Sequence, residues 1–227
     1  MNALVNIVYV VAAVLFILGL KGLTHPRTAV RGNLMGASGM LLAVIVTLLN
    51  QQILSFEWIL IGIVIGAGVG ATLAIRVPMT DMPQMVALLN GFGGLASTLV
   101  AGAALEEVQV RFLQAGAVAM DDIMMLQFNI ATALSGLIGG VTFFGSLVAF
   151  GKLQGWIKDP PRFAGQQILN AVLLAVAVLA GVGMVLNPTM GLLYWVILLM
   201  ASYILGISLV IGIGGADMPV VIALLNS

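Results

Sequence analysis

The chain has 227 residues, 62% of them hydrophobic and 7% charged, with eight basic and eight acidic side chains and no net charge. A soluble domain carries about 25% charged residues, so a soluble globular fold is excluded. The absence of cysteine removes disulfides, thiolate metal sites and thiol catalysis together.

The charges are segregated, and the gaps between them mark the predicted elements in chain order. A first helix fills the uncharged stretch Met1–Leu20, with no basic region before it and no small-residue cleavage site after it. It therefore reads as a retained first span, which suits a bacterial inner membrane. A second and a third helix fill Gly32–Phe56 and Trp58–Ile75, and a fourth fills Met82–Leu105. A fifth follows in Ile123–Gly151. Each stretch meets the roughly 20 apolar residues that a spanning helix needs. The uncharged run Phe163–Ala216 holds two more helices, separated at Leu186-Asn187-Pro188. An eighth starts at Met218, and the chain ends inside it. The expected fold is all-α, a polytopic membrane helix bundle.

Short cytoplasmic loops collect Lys and Arg. With alternating helices, Lys21, Arg27, Arg31, Arg76, Lys152, Lys158 and Arg162 face one side and only Arg111 the other. Glu57, Glu106, Glu107, Asp121 and Asp122 lie on the Arg111 side. The amino terminus is thus expected outside and the basic loops in the cytoplasm.

A ten-residue phrase occurs twice: DMPQMVALLN from Asp81 to Asn90 and DMPVVIALLN from Asp217 to Asn226, an offset of 136 residues. Pro26-Arg27-Thr28-Ala29 is echoed by Pro161-Arg162-Phe163-Ala164, and Leu48-Leu49-Asn50 by Val185-Leu186-Asn187, in the same order. Each unit then contains four helices, and the even number gives two parallel repeats. Residues 1–105 form the first, 106–127 an external linker, and 128–227 the second, shortened in its fourth helix.

Within the phrase, Asp suits a helix N-cap, and Pro two residues later sits in the first turn, where its missing N–H costs little. Gln84 stands where a capping box would place it. Asp81 and Asp217 are either caps at the membrane edge or acidic groups that gather protons at the cytoplasmic mouth. At 1.5 Å per residue, Asn90 and Asn226 lie roughly 13 Å further in, near the midplane of a core about 30 Å thick. Lipid satisfies neither the donors nor the acceptors of an amide, so both must face another helix or water. Interhelix bonding and a polar pathway both answer that demand, and their matching depths put the pathway on an equal footing with the bond.

Gly66-Ala67-Gly68-Val69-Gly70 lacks the preceding strand that a dinucleotide loop requires, and reads as a small-residue packing face. Gly212, Gly214 and Gly215, just before Asp217, allow a hinge. His25, the only histidine, reads as a solvated loop residue.

The stretches VPMTDMPQMVALLN (Val77–Asn90), VTFFGSLVAFGKLQG (Val141–Gly155) and GIGGADMPVVIALLNS (Gly212–Ser227) resemble the beta subunit of proton-translocating NAD(P) transhydrogenase, and the resemblance covers essentially the whole chain. It implies a membrane domain in which inward proton flow drives hydride transfer from NADH to NADP+ on separate soluble domains. It implies an alpha-type partner subunit with an NAD(H)-binding domain and membrane helices, and a dimer of that complex. NAD(H) and NADP(H) belong to the complete complex; the NADP(H)-binding domain is expected to lie outside these 227 residues, which alone are expected to bind no cofactor or metal and to transfer no hydride. No nucleic-acid partner is expected. By the same resemblance Asp217, with Gly212, Gly214 and Gly215, couples proton movement to the NADP(H) domain, and Asn226 lines the channel. Asn90 falls where many family members carry a proton-binding histidine. It has no titratable group, so a partner helix must supply one.

Two alternatives remain, a secondary transporter and a structural subunit of a membrane complex. A transporter calls for mid-membrane binding groups beyond two amides, and a structural subunit leaves the repeated asparagine unexplained.

The charge split yields a topology test. Single cysteines at Thr28 and Phe163 should be shielded from an impermeant thiol reagent in intact cells, whereas those at Gln109 and Thr189 should react. Labelling of Thr28 from outside reverses the orientation.

Overall fold

The computed structural model describes residues 2–50, 56–115, 122–158 and 164–226. Every regular element among them is helical: α1 (Asn2–Leu23), α2 (Ala29–Asn50), α3 (Phe56–Arg76), α4 (Met82–Ala115), α5 (Asp122–Leu153), α6 (Gln166–Leu186), α7 (Gly191–Ile211) and α8 (Met218–Asn226). Short 3-10 turns precede α4, α7 and α8. Seven of these helices are long and apolar enough to cross a membrane. The expected break between the sixth and seventh helices falls at Asn187, followed by Pro188 in a 3-10 turn.

Cations close several helices: Lys21, Arg76 and Lys152 stand in the last turns of α1, α3 and α5, where the helix dipole favours positive charge. The basic loops that bias topology are thus also locally stabilised. Asp121 and the Pro161-Arg162-Phe163 segment lie outside the described residues.

The chain forms two compact units, residues 1–75 and 76–227. In the first, α1 and α2 pair through glycine: a Cβ at Gly19 would stand 2.9 Å from the Gly32 carbonyl oxygen, and one at Gly39 2.9 Å from that of Ala12. The turn between them is closed by Thr28, whose hydroxyl donates to the Gly22 carbonyl at 2.7 Å. His25 is exposed in this turn, its Nδ1 accepting from the Arg27 N–H at 3.3 Å. α3 buries none of its residues. A Cβ at Gly66 or Gly70 would meet nothing within 4 Å, so no described residue of this chain makes the expected close packing with that face. A small-residue face packs only where a second backbone reaches it.

In the second unit α5 is the central helix, with α4 and α7 against it, α6 on α7, and α8 against α5 and α4. α4 continues through Glu106 and Glu107 to Ala115, so the first part of the expected linker is helix. Its 34 residues exceed the roughly 20 needed to span, leaving the end outside the hydrocarbon. There Arg111, the one basic residue on the acidic side, pairs with Glu107 at 2.5 Å. Gln109 is buried, its amide donating to the Thr189 carbonyl at 3.0 Å, so exposed Glu106 is the better labelling site.

Backbone proximity defines this unit. A Cβ at Gly139 of α5 would stand 2.6 Å from the Gly94 carbonyl oxygen of α4, and one at Gly206 of α7 2.6 Å from that of Val141 of α5. Neither contact is the movable end of a side chain, so either substitution must separate helices. Gly139→Ala and Gly206→Ala should each cost about 1–3 kcal/mol of stability. Gly66→Ala should cost nothing, and thermal melts in detergent compare the three.

Candidate functional site

The two copies of the phrase adopt one local backbone. Pro78 and Gly214 are extended (φ −68°, ψ 157° and φ −64°, ψ 149°), and Met82 and Met218 enter the helix at φ −55°, ψ −40° and φ −57°, ψ −39°. Between them the Asp81 N–H donates to the Pro78 carbonyl at 3.0 Å and the Asp217 N–H to that of Gly214 at 3.1 Å. Each Asp therefore closes a 3-10 turn ahead of its helix. The Asp81 carboxylate accepts from the Thr80 hydroxyl at 3.2 Å, and Asp217 is exposed. The expected capping box is not formed: the Gln84 side-chain carbonyl oxygen is buried and has no hydrogen-bond partner among the described residues.

The glycines before Asp217 do not adopt left-handed conformations. Gly212 has φ −84° and Gly214 shares its dihedrals with Pro78 of the first copy. Glycine at these positions adds freedom to a shape that other residues adopt.

Asn90 and Asn226 meet at one cleft of about 490 Å³ between α4, α5 and α8. Ser97, Thr142 and the glycines Gly94 and Gly139 complete its polar and small walls, and none of the described residues that line it has an ionisable side chain. The Asn90 Nδ2 donates to Ser146 Oγ at 3.0 Å, across from α4 to α5. Ser146 is fully buried, and Thr142 one turn earlier points its hydroxyl at the Leu225 carbonyl of α8 at 3.4 Å. Asp81, Asp217, Gly212, Gly214 and Gly215 do not line the cleft.

Ser146 and Thr142 escaped the sequence reading, although their spacing of four was a legible sign of one polar face on a helix. Asn170 escaped it too. It lines a second cavity of about 470 Å³, mostly apolar, that also touches Thr142, and its side-chain carbonyl oxygen is buried with no partner among the described residues. Lys152 is buried near the end of α5, where its Nζ donates to the Ile213 carbonyl at 2.6 Å.

The profile of the family described as NAD(P) transhydrogenase beta subunit matches residues 5–227. The chain belongs to that family. Two relatives, both named NAD(P) transhydrogenase subunit beta and both from Rhodospirillum rubrum, one of them from a named strain, are 41% identical over 227 residues. That alignment covers 100% of this chain and 47% of each relative, so the chain spans about half their length. With its seven candidate spans, this member of the transhydrogenase beta family is a multi-pass membrane protein.

The Asn90–Ser146 contact is measurable by itself. A double-mutant cycle of Asn90→Ala and Ser146→Ala should show a coupling energy of about 0.6–1.7 kcal/mol in unfolding. Strict additivity would show that the two side chains do not bond.

Proposed function

We propose that this chain is the proton-conducting membrane portion of an NAD(P) transhydrogenase. Inward proton flow through it is coupled to hydride transfer from NADH to NADP+ on separate soluble domains. The reading is carried by one observation: two asparagines from repeated phrases share one polar cleft in which no side chain among the described residues is ionisable. With Nδ2 of Asn90 committed to Ser146, its Oδ1 is left to accept from a water. Asn226, Ser97 and Thr142 supply further amide and hydroxyl groups around the same space. Such groups orient water and pass protons along it, but they store none.

The proton-storing group therefore comes from elsewhere. An alpha-type subunit, which also brings the NAD(H) domain and its own membrane helices, places a histidine opposite Asn90 and Asn226. Imidazole, with an unperturbed pKa of about 6.5, loads and unloads near physiological pH. Asp217, exposed after a glycine-rich segment, faces the NADP(H) domain and carries the state of the cleft to it. Asp81 occupies the matching place at the cytoplasmic mouth. The complex works as a dimer in a bacterial inner membrane, with the amino terminus of this chain outside.

In the assembled complex in proteoliposomes, Asn90→Leu should lower proton uptake and the coupled reaction by about a hundredfold without unfolding the helices. Asn90→His, combined with loss of the partner's histidine, should restore part of the coupling. Normal pumping and transhydrogenation by the Asn90→Leu complex would leave Asn90 as an interhelix bond and nothing more.

A further inference from the structure

The junction between α7 and α8 is held from two neighbouring helices. The last carbonyls of a helix have no intrahelical N–H to accept from. In α7 that of Ser208 instead receives the Gln166 amide at 2.6 Å, from the start of α6. Five residues on, in the segment Gly212-Ile213-Gly214, the Ile213 carbonyl receives the Lys152 ammonium at 2.6 Å from α5. Both donors are buried, Gln166 at 8% and Lys152 at 6% exposure.

A buried ammonium is costly even when bonded, and an apolar residue in its place is often as stable or more so. Stability alone therefore gives little reason for a lysine here. Its contact fixes one carbonyl of a segment that is glycine on either side, Gly212 and Gly214, where the backbone carries no side chain of its own to hold it. The partial negative ends of α5 and α7 lie nearby and favour a cation at this point.

The position on α5 matters as much as the contact. Lys152 lies six residues after Ser146, about 9 Å along the same helix. One rigid element thus bonds the Asn90 amide at the cleft and the backbone four residues before Asp217. On the far side of the junction Met218 is fully buried, while Asp217 and Ala216 are exposed. The first copy of the phrase has no counterpart: an offset of 135 to 137 residues sets Leu15, Phe16 or Ile17 against Lys152.

We infer that Lys152 is a positioning residue, whose bond to the Ile213 carbonyl ties the α7–α8 junction, and with it Asp217, to α5. Its functional consequence rests on the proton-conducting role proposed above: a shift of α5 at the cleft is delivered to Asp217, and without the tie the two are uncoupled.

These 227 residues contain no cysteine, so Ala216→Cys, in a complex whose cysteines elsewhere have been replaced, provides a single reporter on the junction. In the assembled complex in sealed vesicles of known sidedness, its rate of reaction with a water-soluble maleimide would be compared with Lys152, Lys152→Met and Lys152→Arg. Lys152→Met should raise that rate about tenfold, as a local opening made easier, and Lys152→Arg should leave it within about twofold. Lys152→Met should also lower protons taken up per hydride transferred, while hydride exchange at the nucleotide domains continues and the melting temperature stays that of the parent. If Lys152→Met does not assemble, Lys152→Gln carries the same test with a shorter, neutral side chain. An unchanged labelling rate overturns the tie. A raised rate with unchanged protons per hydride overturns its coupling role. If the complex with the native Ala216 takes up no protons, the proton-conducting role fails, and the labelling arm still decides whether Lys152 holds the junction.

Discussion

The second unit depends on three helix backbones coming closer than side chains allow. In lipid, apolar side chains gain little by hiding from their surroundings, so helices associate through dispersion contacts and hydrogen bonds. Both need short distances. Gly94 against Gly139 brings α4 onto α5, and Gly206 against Val141 brings α7 onto its other side. α5 becomes the central helix because these close approaches converge on it.

The same approach creates the polar layer. One apolar core, around Leu105, Met184, Trp195 and Leu198, fills one end of the unit. Another, around Ala87, Val148, Val210 and Met218, fills the other. Between them in sequence lie small and hydroxylated residues, among which Thr98, Thr142, Ser146 and Ser202 are buried. A hydroxyl can return its proton to its own helix, as Thr98 does to Gly94 at 2.9 Å and Ser202 to Leu198 at 2.6 Å. The Asn90 amide instead bonds across the interface, to Ser146. Asn90 thus ties two helices together and still has an oxygen to offer the cleft.

The repeated phrase shows how one local shape serves in two settings. Both copies make the same extended residue, 3-10 turn and helix entry, with Pro78 and Gly214 interchangeable in dihedral terms. Their surroundings differ. Asn90 is partly covered and bonded to α5, whereas Asn226 is exposed on α8. Asp81 sits beside Thr80, whereas Asp217 follows a junction held by Lys152.

Much was legible in the sequence because membrane insertion writes itself into composition. Uncharged runs marked the spans, Asn187-Pro188 marked the break between α6 and α7, and the duplicated phrase marked Asn90 and Asn226. These are local signals: a helix must be apolar where it crosses lipid, and a buried amide needs a partner wherever it lies. Which partner it finds is not local. Ser146 and Lys152 became important only because Gly94, Gly139 and Gly206 set the spacing of α4, α5 and α7 that brings them to Asn90 and Ile213, and Gln166 only because α6 packs on α7 and brings it to Ser208. Conversely, Gly66 and Gly70 carry the same small-residue pattern on α3 and make no close contact. A pattern of small residues permits close approach, but the second surface that accepts it is supplied only by the tertiary fold.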